Sequence, residues 1–313
     1  MLLLLQYTLI FASVLILVAL GGCISEHSGV INLGLEGIMI MGALGGALTL
    51  KYLSPDTPAI LILLLVLLAA MFCGLVYSLL LAVACINFKA DQTLVGTALN
   101  MLAAAAATVI AKSVNIAENP DNVSSTVQYV RNKKALVLSI GTNQFNLFIP
   151  VAVIALVLIY VLLYKTRFGL RLMAYGEHPQ AADSVGINVY KMRAAAVLIS
   201  GMLAGIGGIV YITAGVSEWK FEVGVAGFGF LALAVMIFGQ WKPLNIGLAA
   251  LLFGFFRALS NVYSGFDFLA ALNIPGSVYN MMPYIISLVV LAFTSSRSRA
   301  PKAEGIPYDK GQR

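Results

Sequence analysis

The sequence is short of charge. Asp, Glu, Lys and Arg make up 10% of its 313 residues, where a soluble domain of that length carries about 25%. Histidine occurs only at His27 and His178, and cysteine only at Cys23, Cys73 and Cys85, all three in apolar stretches. An odd, dispersed set of cysteines excludes a disulfide framework. With no Cys-x-x-Cys pair and no histidine cluster, the spacing of a metal site is absent too, so neither metal nor cofactor is expected. No Gly-x-x-x-x-Gly-Lys-Ser/Thr loop occurs, so the chain does not cradle ATP phosphates itself. No pairing of a nucleophile with a base survives inspection, which argues against an enzyme. Any work the chain does draws on a partner or an ion gradient. No Lys or Arg precedes Lys51. A secretory signal needs a basic start, so Leu20-Gly21-Gly22-Cys23 reads as part of a first membrane span and not as a lipoprotein cleavage box.

What the sequence has in abundance is apolar length. Hydrophobic residues are 60% of the chain and mean hydropathy is +0.95. This is the composition of an all-α polytopic membrane protein. Apolar runs cover roughly Leu3–Ile24, Gly29–Leu50, Ala59–Ile86, Thr93–Ala111, Leu147–Tyr164, Ala194–Ala214, Gly224–Gly239, Leu244–Val262 and Val278–Thr294. That is about nine to ten transmembrane helices, depending on whether the Gly29–Leu50 segment is one piece or two. Residues 1–295 form one transmembrane unit, and 296–313 a basic, disordered cytosolic tail. Residues 112–144 read as an outer loop with a short strand at Thr126–Val130. Twelve of the 19 Lys and Arg then lie inside: Lys89, Lys165, Arg167, Arg171, Lys191, Arg193, Lys242, Arg297, Arg299, Lys302, Lys310 and Arg313. The net charge of +6 is thus a topology signal and no sign of nucleic-acid binding.

Two glycine-broken segments stand out. In Gly29–Leu50, Asn32 and Glu36 are one helical turn apart. A carboxyl at membrane depth faces a cavity or a partner; at the cytosolic boundary it would simply be solvated. The second segment, Gly224–Gly239, repeats the first at a constant offset: Gly29 matches Gly224, Val30 matches Val225, Gly34 matches Gly229 and Met41 matches Met236. Repeats built around broken helices are a feature of translocation paths. Asn100 either lines the path or bonds a neighbouring helix. Arg257 either snorkels to the outer interface or points into the cavity. Gly42 and Gly46, like Gly201, Gly205 and Gly208, mark faces where another helix comes close. Pro283 predicts a kink in the last span.

Residues 165–193 are the one long polar stretch between two strong spans, and five basic residues place them in the cytosol. Pro179 opens a short helix there and Gly186 stops it. A helix of this length, about 10 Å, is unstable unless it docks. Here the sequence resembles a known family. Gln180-Ala181-Ala182, three residues and Gly186 are similar to the "EAA…G" loop of ABC importer permeases, with Gln for Glu. Phe168–Arg171, Gly176–Pro179, Ala181–Asp183, Gly186–Val189 and Asn32–Gly37 look like the simple-sugar and nucleoside branch, the nucleoside permeases most of all. The resemblance implies several things. The chain is a multi-pass permease subunit of a bacterial cell membrane, importing nucleosides by alternating access. Gly176, Glu177, Pro179, Ala181, Ala182, Asp183 and Gly186 form a coupling helix on an ABC ATPase subunit. The remaining partners are a second, unlike permease and a substrate-binding lipoprotein. A nucleoside needs amide and carboxylate partners for its ribose hydroxyls and base edges and an aromatic to stack on, which makes Asn32, Glu36, Asn100 and Phe228 the candidate residues of the substrate pathway. A permease for a ribose-like sugar, and an ion-coupled carrier centred on Glu36, are the other readings.

Overall fold

The computed structural model describes residues 2–54, 56–127, 136–140, 143–215, 219–266, 275–294 and 300–309. Long apolar runs close their backbone hydrogen bonds within helices, the only open-ended way to do so where water is absent. The helices are α1 (Leu2–His27), α2 (Leu35–Tyr52), α3 (Ala59–Ala82, extended by a π-turn Val83–Asn87) and α4 (Gln92–Glu118). Then come α5 (Phe148–Lys165), α6 (Arg167–Glu177), α7 (Pro179–Ser184) and α8 (Val189–Val210). The chain closes with α9 (Phe228–Phe238), α10 (Pro243–Val262) and α11 (Gly276–Thr294). Among the described residues, six helical stretches are long and apolar enough to cross a membrane; α9 is apolar but shorter. Gly29–Leu50 contains one helix, α2, preceded by a non-helical stretch at residues 28–34.

The only strands among the described residues are β1 (Val137–Ile140) and β2 (Asn143–Asn146), an antiparallel hairpin pairing Val137 with Asn146 and Ile140 with Asn143. The strand expected at Thr126–Val130 is not at Thr126 and Val127, which have no regular structure; 128–130 and Arg131–Lys134 lie outside the described residues. Helix α4 runs on to Glu118, so the outer connection starts later than position 112.

Helices α1 and α8 are the centre. From Phe11 to Glu26 every residue of α1 is buried, because α8 and α10 pack on it while α8 also packs on α2 and α3. The expected close approaches are there. A methyl group added to Gly42 would collide with the backbone of Gly205, and one added to Gly208 with that of Met39. At one end of the bundle Lys51 pairs with Glu118 at 2.9 Å and Lys112 with Glu222 at 2.8 Å. At the other end lie the end of α1, α6 and α7, the turn at Gln240–Trp241, and residues 300–309.

That last segment corrects an expectation. Residues 300–309 are not disordered: Pro301, Ala303 and Tyr308 are buried against the bundle. Basic composition suggested a solvated tail, but the aliphatic and aromatic residues between the charges find a seat. Arg297, Arg299, Lys310 and Arg313 lie outside the described residues.

Candidate functional site

The site begins where α1 stops. Backbone groups freed from a helix inside an apolar bundle need partners, and side chains from two helices, α1 and α4, provide them. Ser25 Oγ donates to the Val30 carbonyl at 2.7 Å and Gln92 Oε1 accepts from Ile31 N–H at 2.7 Å. Asn100 serves both sides of the break: its Nδ2 donates to the Leu33 carbonyl at 2.9 Å and its Oδ1 accepts from Gly37 N–H at 2.8 Å. Asn32 is fully buried, with its Nδ2 donating to Ser200 Oγ on α8 at 2.9 Å.

Glu36 then sits in the first turn of α2. Its Oε1 accepts from Gly227 N–H at 2.8 Å and its Oε2 from Gly229 N–H at 2.7 Å. Those two groups are the exposed donors at the start of α9. The N-cap residue of α9 is Gly227, at φ +77°, and it has no side chain to cap with. A carboxylate brought from another helix does so, and the positive end of the helix dipole favours its charge. The two broken segments therefore meet, with Gly29 and Gly224 both at positive φ before their helices.

Around this contact lies a line of aromatic rings. Tyr7 and Phe11 have centroids 6.1 Å apart, Phe11 and Phe228 5.7 Å, Phe228 and Tyr211 4.5 Å, and Tyr211 and Trp219 5.3 Å. The Arg257 guanidinium lies 5.5 Å from the Phe228 centroid and 6.0 Å from that of Phe11, within cation–π range. It also reaches the Tyr211 hydroxyl. Tyr284 donates to the Ala226 carbonyl at 3.1 Å. So Arg257 turns inward onto rings and does not snorkel to the interface. The sequence marks it as a cation within a span but carries no sign of its direction. Nothing in the sequence distinguishes Tyr211, Tyr284 and Trp219, since single aromatics in apolar runs look like core.

Of the four pathway candidates, Glu36 and Phe228 come together. Asn100 adjoins them but is occupied by backbone, and Asn32 faces α8. Tilted and edge-on rings, a guanidinium and phenol hydroxyls thus surround the start of α9. Among the described residues no cluster of metal-ligating side chains occurs.

At the other end, α7 is six residues long, opens on Pro179 and is followed by Gly186 at φ +82°. Ala182 is buried while Leu170 and Val185 are exposed. With Arg171, Ala174, Glu177 and Ala181 they border a surface groove of about 470 Å³. Gly176 and Asp183 face inward to the 300–309 segment, Gly176 through its carbonyl.

The family described as branched-chain amino acid transport system / permease component matches residues 4–293. The chain belongs to this family. It is 41% identical to the guanosine ABC transporter permease protein NupQ of Bacillus subtilis, over 98% of this chain and 96% of that one. It is 38% identical to the nucleoside ABC transporter permease protein NupC of Lactococcus lactis, over 97% and 96%. It is 28% identical to the putative glucose ABC transporter permease protein TsgC13 of Haloferax volcanii, over 95% and 93%. This permease is a multi-pass membrane subunit of an ABC transporter. It does not hydrolyse ATP, and its work requires an ATPase and a further permease subunit.

Proposed function

We propose that this permease passes nucleosides inward between two unlike permease subunits, driven by an ATPase that docks on α7 and its groove, with an external lipoprotein delivering substrate. The observation that carries the substrate class is the aromatic line of Phe11, Phe228 and Tyr211 under the Arg257 guanidinium, beside the Glu36-capped start of α9. In this structure Phe11, Phe228 and Tyr211 are buried against one another; once the path opens between them, a nucleobase has a face to stack on such rings, and guanidinium and phenol groups pair with its edge and with ribose hydroxyls. The likeness to NupQ and NupC supports the same class. In this reading the chain crosses nine times with its N-terminus outside. Lys89, Lys191, Arg193 and Lys242 then fall inside, as the positive-inside rule asks, and α2 and α9 enter the membrane from opposite sides.

The test is uptake of labelled guanosine, adenosine and uridine in cells carrying the transporter, with ATP depletion set against an ionophore. Gly186→Pro and Ala182→Glu serve as coupling variants. ATP-dependent uptake that falls at least about tenfold in both variants, with the protein still in the membrane, supports the reading; a factor of ten is about 1.4 kcal/mol of lost coupling. The relative TsgC13 favours a second substrate, a sugar. Competition of uptake by free ribose, but not by a nucleobase, would transfer the assignment to it. The ion-coupled carrier is set aside by family membership, and ionophore-sensitive uptake would restore it.

A further inference from the structure

The chain from 300 to 309 ties together several parts of the inner end, alongside the direct contact of α6 with the end of α1 at Gly176 and His27. Ala303 N–H donates to the Gly176 carbonyl at 2.8 Å, where α6 ends. Two residues on, Gly305 N–H donates to the Gly29 carbonyl at 3.2 Å, at the mouth of the break that leads to Glu36. Arg193, nearly fully buried in α8, donates from Nη1 to the Ile306 carbonyl at 3.0 Å. Glu304 bonds side chain to side chain with Glu26 of α1, whose Oε2 also accepts from the Trp241 indole at 2.6 Å. Tyr308 is buried with Tyr175, Ala182 and Val189, meets the Tyr190 ring edge-on at 5.4 Å and bonds Asp183 of α7. Lys89 and Asp309 close the segment with an ion pair at 3.1 Å.

We infer that residues 300–309, with Tyr308 as the positioning residue, carry displacement of the coupling helix to the mouth of the α1–α2 break. The warrant is geometric. A helix of six residues has too few internal bonds to hold its own position, and the tail supplies the missing contacts to Ala182 and Asp183. The same short peptide grips Gly29, where a positive φ and a crowded surround leave little slack: a methyl group there would meet Arg193 Nη2 and the Ala303 carbonyl. From Gly29 the path runs through Ile31 to Glu36 and so to the start of α9. A push on α7 thus has a packed, hydrogen-bonded route to both broken helices; without the tail α7 keeps its packing on Tyr175 and Val189 but loses the hydrogen-bonded link from Asp183 and Gly176 to Gly29. The tail acts through α7 and the break and touches no substrate.

This rests on the importer reading but not on the choice of substrate, and the test keeps the two apart. In the reconstituted complex with its ATPase and partner permease, Ile31→Cys is placed in a Cys73→Ala background and its maleimide labelling rate is read with and without ATP. The same is done in a chain ending at residue 299, and in Ala303→Pro and Tyr308→Ala, where a missing N–H or ring weakens the tail without deleting it. The intact chain is expected to change its labelling rate on ATP binding, and the altered chains to lose that change at least about fivefold. ATP hydrolysis continues in them, and Tyr308→Phe, which keeps the ring on Tyr190, restores most of the response. An ATP-driven change of equal size in intact and tail-altered complexes overturns the inference. Nucleoside transport per ATP by the unaltered complex is measured beside it, and its failure would remove the substrate class alone.

Discussion

Glu36 is the residue on which the two halves of the candidate site depend. Its carboxylate satisfies two backbone N–H groups at once, and both lie where water is scarce. Glu36→Gln offers one acceptor and turns a donor toward the other N–H. Glu36→Asp keeps the charge but is one methylene too short to hold both. Each is expected to destabilise the solubilised protein by about 1–3 kcal/mol, the cost of an unmet buried donor, and to lower uptake more than tenfold if the start of α9 is part of the path. Thermal unfolding together with uptake tests this. Full uptake with a lowered melting point would make Glu36 a structural cap only. The sequence brought out Glu36 because an intramembrane acid is rare. It could not name Gly227 and Gly229 as partners, because they act through their backbone and every peptide unit offers the same groups.

Among the elements, two contacts make contrasting predictions. The α2–α8 contact relies on the absence of a side chain at Gly42 and Gly205. Gly42→Val is expected to force the helices apart and cost about 1–3 kcal/mol, read as lost yield and a lower melting temperature in detergent. A surface glycine such as Gly186, with open space around its α-carbon, should tolerate the extra atoms better in packing and fail through its positive φ instead. The second contact is the docked tail. Burial pushes the Glu304 carboxyl above the ordinary carboxylate range, with the Glu26 carboxyl of α1 facing it, the Trp241 indole behind that, and Arg193 at the adjoining Ile306. A carboxyl whose docked pKa lies above its free value holds its proton when docked. Its contribution is therefore complete below the free value and is lost as pH rises through the docked one. A spin label at the exposed Pro307→Cys should grow more mobile as pH rises across that window. Glu304→Gln, which cannot ionise, should remove the dependence; a label equally immobile at all pH values would contradict it.

For the molecule as a whole, the proposed nine crossings would place Ser54 and Asp121 on one side and Lys191 and Lys242 on the other. Single cysteines at Ser54 and Asp121 should react with a membrane-impermeant maleimide in whole cells, and cysteines at Lys191 and Lys242 only after the membrane is opened. An N-terminal tag should be reached from outside. Labelling of that tag only in opened cells would require an additional crossing and the ten-helix alternative. The crossing count was hard to read because Gly29–Leu50 mixes a non-helical stretch with a helix, and hydropathy averages over both.

The sequence by itself determined the class. Apolar length, scarce charge and the distribution of basic residues are sums along the chain, and solvation acts on those sums whatever the fold, so a helical membrane permease with a polar loop at 165–193 was legible. The α7 boundaries were legible too, since Pro179 and Gly186 act on their own backbone. Only the tertiary structure decided where Arg257 points, that Asn100 bridges a break, that Glu36 caps a helix nearly two hundred residues away in sequence, and that 300–309 is docked. Each of these is a pairing between distant groups. A pairing depends on which surfaces meet, and residue type along one stretch of chain carries no record of what lies opposite.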